Sequence, residues 1–120
     1  MIISTKYREK AGCKCGCGYN CVDADIAYLL DVLNVGGIEY DINSWCRCKE
    51  HNKKEGGADK SYHLLGLAVD IAPKNKTPLQ IYNMLCSWFK DSCGIILYDW
   101  GVHFDLRKNF YRDDRRTKKE

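Results

Sequence analysis

The sequence predicts a single α+β domain: a small antiparallel sheet flanked by two or more helices. Three observations lead there. The chain has 120 residues, which is the size of one domain. Two segments repeat apolar residues at helical spacing, while four shorter runs are apolar or alternate in period two. The two kinds are mixed in order, with no internal repeat and no Pro/Gly-rich linker between them.

Residues 1–22 read as an irregular or short-strand lead-in built around Gly12, Gly16 and Gly18. A helix follows from Asp23 to Leu33, with Asp23 as N-cap and Ile26, Leu29, Leu30 and Leu33 at three- and four-residue steps. The Gly36-Gly37 pair ends it. Ile38 to Asn43 alternates apolar and polar, the pattern of a strand with one buried face. From Trp45 to Tyr62 the chain turns polar and glycine-containing, a long loop of the kind that carries function. Leu67 to Ala72 reads as a central strand. Thr77-Pro78-Leu79-Gln80 then announces a second helix by a cap, a proline at the first helical position and a capping box. Its apolar face, Ile81, Tyr82, Leu85, Trp88 and Phe89, runs to about Lys90. Residues 94–98 and 102–106 form two strands joined by the Asp99-Trp100-Gly101 turn.

Charge and composition exclude several classes. With 29% charged and 12% aromatic residues, the chain is an ordinary globular protein. No apolar run approaches 18 residues, so no membrane insertion is expected. The net charge of +3 is local: Arg107 to Glu120 holds seven basic and three acidic residues, and the remaining 106 residues sum to −1. That argues against a nucleic-acid partner. The domain is expected to span residues 1–111, with 112–120 a mobile charged tail and the protein a monomer.

The N-terminus, MIISTKYREK, has no apolar core of a signal peptide, which predicts synthesis in the cytoplasm. Eight cysteines in a reducing compartment point to metal more than to disulfides. Cys13, Cys15, Cys17 and Cys21 form one cluster and Cys46 and Cys48 another. A structural zinc, disulfides formed after release and unpaired buried thiols all remain open for them.

The densest chemistry lies in Ser61-Tyr62-His63-Leu64-Leu65-Gly66-Leu67-Ala68-Val69-Asp70-Ile71. His63 ends the polar loop, Gly66 permits a bend, and Asp70 enters the next strand. His103, in the last strand, offers a third donor. Two histidines and a carboxylate around zinc leave one coordination position open, as in catalytic sites. Spacing alone leaves the plainer reading in play, a solvated His63 and an Asp70 paired with a lysine.

The run S-x-H-x-x-G-x-A-x-D-I, followed by V-H-x-D-x-R, resembles the M15 family of zinc D-Ala-D-Ala peptidases and phage peptidoglycan endopeptidases. Asn43-Ser44-Trp45-Cys46-Arg47, His51-Asn52 and Gly56-Gly57-Ala58 are similar to the family's S-G-Y-R, H-N and G-G-A stretches. Cys15-Gly16-Cys17-Gly18 is similar to the opening of small phage-type members, so the likeness spans residues 13–107. The resemblance implies a hedgehog/DD-peptidase-like fold whose sheet carries the site. It implies one catalytic Zn²⁺ on His63, Asp70 and His103, with Arg47 on the substrate carboxylate or the oxyanion. Ser61 would support the loop, and Asp105 would be the partner of His103. The substrate implied is the peptidoglycan stem peptide, cut at D-Ala-D-Ala or L-Ala-D-Glu once the protein is released to the bacterial cell wall. One departure matters: the family's general acid/base stands three residues before the last histidine, and here that residue is Trp100. Asp99, four before, is assigned the role, with Asp105 the other candidate. Trp45 also replaces a family glycine. The displaced acid favours a second class, a non-catalytic zinc-containing wall-binding or virion structural module.

Overall fold

The computed structural model describes residues 23–45 and 67–117. The elements run α1 (Ala24–Val35), β1 (Tyr40–Ser44), β2 (Ala68–Pro73), α2 (Pro78–Trp88), β3 (Gly94–Leu97), β4 (Val102–Asp105) and β5 (Tyr111–Asp114). This is the expected α+β architecture. Among the described residues, no helix is long and apolar enough to cross a membrane.

Each helix begins where its cap can satisfy free backbone N–H groups. The Asp23 carboxylate accepts from the amides of Asp25 (2.9 Å) and Ile26 (3.1 Å). Thr77 and Gln80 close the reciprocal capping box at the start of α2. The expected apolar stripe Ile26, Leu29, Leu30 and Leu33 is buried in full. Strand β1 begins two residues later than the alternation suggests. The amide of Ile38 donates to the Leu33 carbonyl (3.0 Å), so Ile38 belongs to the helix ending although its side chain joins the core.

The five strands lie in the order β1-β2-β4-β3-β5. The first four are mutually antiparallel, as expected, and β5 is parallel to β3, which makes the sheet mixed. The tail expected from residue 112 therefore starts inside a strand. Tyr-Arg-Asp-Asp has no apolar alternation, and its pairing rests on polar contacts instead. The Arg112 guanidinium donates to the carbonyls of Cys93 (2.7 Å), Tyr111 (2.8 Å), Ser92 (3.1 Å) and Phe89. It thereby fastens β5 to the end of α2.

Alternation along the strands separates two faces. Val69, Ile71, Ile95, Leu97, Val102 and Phe104 form one face and pack with Ile26, Leu30, Leu33, Ile81 and Leu85 of the helices. Burying this set is the main stabilising term, at roughly 1.5–3 kcal/mol per large apolar side chain. The opposite face carries Asp70, His103 and Asp105. It is on this second face that the chemistry sits.

Candidate functional site

Strand register brings the site together. Asp70 of β2 lies directly opposite His103 of β4, and opposite Ser44 of β1 on its other side. Between Ile42 and Ser44 the β1–β2 register slips by one residue. Asn43 is the extra residue of a β-bulge, a device that re-aims a strand beside a site. Gly101 positions β4 from the far end. A Cβ there would stand 2.0 Å from the Ile71 carbonyl oxygen, so only glycine lets the turn press against β2.

The side chains make a continuous row. His103 Nδ1 lies 2.7 Å from Asp70 Oδ1, and His103 Nε2 lies 2.8 Å from Asp105 Oδ2. Arg107 closes the row on Asp105 with its backbone N–H (3.2 Å) and Nε (2.8 Å) to Oδ1, and Nη2 (2.7 Å) to Oδ2. Asp105 is fully buried, whereas the Asp70 and His103 side chains keep 14% and 13% of their exposure. Asp105 is sealed from solvent between His103 and an Arg107 side chain that keeps 26% of its exposure.

The electrostatics follow from that gradient. Burial alone would depress the His103 pKa. Hydrogen bonds to Asp105 and Asp70, with their negative charges, overcome it and lift the imidazole to about 9. Burial would raise Asp105, but the Arg107 guanidinium and the His103 ring hold it well below the usual carboxylate range. Asp105 already accepts four hydrogen bonds, about as many as a carboxylate has lone-pair sites. It has no capacity left to take a proton from water. Asp105 thus holds His103 Nε2 through Oδ2 with its acceptor sites engaged.

Asp99 lies elsewhere. Its exposed carboxylate accepts from the Thr117 amide (3.1 and 3.2 Å) and the Thr117 hydroxyl (2.7 Å). Those bonds lower its pKa. They tie the β3–β4 turn to the segment that follows β5. His63, Arg47 and Ser61 lie outside the described residues, as do Cys13, Cys15, Cys17, Cys21, Cys46 and Cys48. Cys86 and Cys93 are free thiols.

Among the described residues, no group of three or more His, Cys, Asp or Glu side chains is arranged to hold a metal alone. Asp70 and His103 nevertheless suit zinc as part of a larger set. They offer one carboxylate oxygen and one imidazole nitrogen side by side, and Asp105 occupies the other ring nitrogen. A carboxylate behind a ligating histidine is the usual support of such a ligand. The proton shared between Asp70 and Nδ1 is the one a metal would displace. Arg107 is the last residue of the V-H-x-D-x-R run, and the structure gives it a contact to the site that the resemblance does not assign. Its signal was present in period two, since His103, Asp105 and Arg107 recur at every second position and so share a face.

No curated protein and no solved structure matches the chain. A model of the family described as Peptidase M15 matches residues 6–105, a span that includes both Asp70 and His103. On that match over most of its length, the chain belongs to the M15 peptidase family, whose members are generally zinc-dependent.

Proposed function

We propose that the chain is a zinc-dependent peptidase that hydrolyses peptide bonds in the stem peptide of bacterial peptidoglycan, in cell-wall lysis or remodelling. The observation that carries this reading is the direct Asp70–His103 pair, with Asp105 seated behind the imidazole. In this proposal His63, Asp70 and His103 hold the metal. Bound zinc supplies Lewis-acid polarisation of the scissile carbonyl and acidifies a water.

The chain's own residues do the rest. Asp105 keeps the His103 ring oriented. Asp99 accepts the proton of the attacking water and passes it to the leaving amine as the C–N bond breaks. Thr117 uses only part of the acceptor capacity of the Asp99 carboxylate, which leaves room for that further donor. Arg47 stabilises the oxyanion or binds the substrate carboxylate with its planar pair of donors. Ser61 supports the loop that carries His63. The products are a carboxylate and an amine, whether the bond is D-Ala-D-Ala, as in a carboxypeptidase, or L-Ala-D-Glu, as in an endopeptidase. The protein acts as a monomer after release from the cytoplasm of the producing cell. The engagement of Asp99 by Thr117 favours one competing reading, a non-catalytic zinc-containing wall-binding or virion module.

Digestion of purified peptidoglycan with Zn²⁺ present separates the two. The peptidase reading expects new amino termini from the wild-type protein and none from folded Asp70→Asn or His103→Gln. Wild-type protein that binds zinc and the wall but releases no amino termini would establish the competing reading. Zinc content of one or two ions per chain reports whether the cysteine clusters hold a second, structural ion.

A further inference from the structure

We propose that Arg107 is a positioning residue of the Asp70–His103 site. Its guanidinium clamps Asp105, and Asp105 fixes the His103 ring so that Nδ1 is presented on the Asp70 side. The inference rests on the zinc-site reading above and extends it to a residue that touches neither the metal nor the substrate.

Four observations converge on this. Arg107 meets both oxygens of Asp105 through Nε and Nη2, a forked geometry that a point charge cannot reproduce. The fork is itself held, because the Arg107 guanidinium carbon lies 4.6 Å from the centre of the Tyr111 ring in β5. Across the sheet, Gly94 of β3 lies opposite Asp105. A Cβ at Gly94 would stand 2.6 Å from Arg107 Nε and from each Asp105 oxygen, so the missing side chain is what admits the pair. Finally, the remaining bond that Asp105 accepts comes from Nε2 of His103 (2.8 Å).

Stability alone does not account for such an assembly. Burying the Asp105 carboxylate, even against a guanidinium, forfeits so much hydration that an apolar replacement is often neutral or better. What the pair does supply is orientation. An imidazole whose Nε2–H is held by a fixed carboxylate has Nδ1 as its remaining donor atom and cannot turn its ring over. Three elements, β3, β4 and β5, contribute to setting that one torsion.

The test is zinc affinity of the full chain by competition with a chromogenic chelator, together with the visible absorption spectrum of the cobalt-loaded protein. Arg107→Met should weaken zinc binding about 10- to 100-fold and alter the cobalt bands. Arg107→Lys, which keeps charge without the fork, should fall between Met and wild type. Gly94→Ala should weaken zinc in the same direction, and Lys108→Met, at the neighbouring charge, should stay within about twofold. If Arg107→Met does not fold, Arg107→Lys decides. Zinc affinity within about twofold of wild type in the Arg107 variants, with Asp70→Asn and His103→Gln having lost it, would overturn the positioning role alone. Retention of zinc by Asp70→Asn and His103→Gln as well would instead bring down the site reading on which it rests.

Discussion

His103 makes the metal-free protein a pH-sensitive fold, and the direction is fixed by its two carboxylate neighbours. The imidazole has an ordinary pKa of 6.5 in the unfolded chain and about 9 in the fold. A group raised on folding contributes stability that is fully present below its unfolded pKa and is lost as pH climbs through the folded one. The window is therefore pH 6.5 to about 9. The difference corresponds to about 3 kcal/mol, a sizeable part of a typical total of about 5–15 kcal/mol. Urea unfolding in excess chelator and reductant, repeated at intervals from pH 6 to 9.5, reads it directly. With a slope of roughly 2 kcal/mol per molar urea, the midpoint should fall by about 1.5 M across the window. Thiols and amines titrate in the same range, so the measured quantity is the difference between wild type and His103→Gln. Parallel loss of stability in the two proteins would refute the clamp between Asp70 and Asp105 as the source of the shift.

Zinc should reverse that trend. Because one proton must leave the Asp70–His103 pair, apparent zinc affinity should rise about tenfold per pH unit between pH 6.5 and 8.5, measured by chelator competition at each pH. Asp105→Ala should destabilise the metal-free protein by about 1–3 kcal/mol in thermal or urea melts, since it removes a fully buried carboxylate that accepts from both His103 Nε2 and the Arg107 guanidinium. Leu85→Ala, at a fully buried position of α2, should cost about 2–5 kcal/mol by the same melts while leaving zinc stoichiometry unchanged. Thr117→Val removes a donor that lowers the Asp99 pKa, so the acid limb of the pH–rate profile on peptidoglycan should move to higher pH. An unmoved limb would take the acid/base role from Asp99.

The helices were legible because their signals are local. The spacing of Ile26, Leu29, Leu30 and Leu33 reports a buried stripe directly, and the Thr77–Gln80 box needs only four residues to define itself. The β3–β4 hairpin was legible for the same reason. Strand β5 was not, because Tyr111–Asp114 is polar and pairs through Arg112 with carbonyls that belong to residues 89–93. No pattern within the segment encodes those partners. Asp70 and His103 stood out as donor types, but their meeting depends on the β2–β4 register and the close passage of Gly101 against β2. The engagement of Asp99 was not legible either, because its partner Thr117 lies 18 residues away and no pattern around the turn encodes it.

The alternation of β2 and β4 ties two properties that many enzymes keep apart. Val69 and Ile71 flank Asp70, and Val102 and Phe104 flank His103, so neighbouring residues serve the interior and the reaction by turns. A slip of one position would send His103 among the leucines and Phe104 onto the face that carries Asp70. Evolution therefore cannot slide these strands to trade durability against activity. Any variant that keeps Asp70 opposite His103 has, by the same register, kept Val69, Ile71, Val102 and Phe104 facing the interior, and under the zinc reading proposed above metal uptake would report on that register.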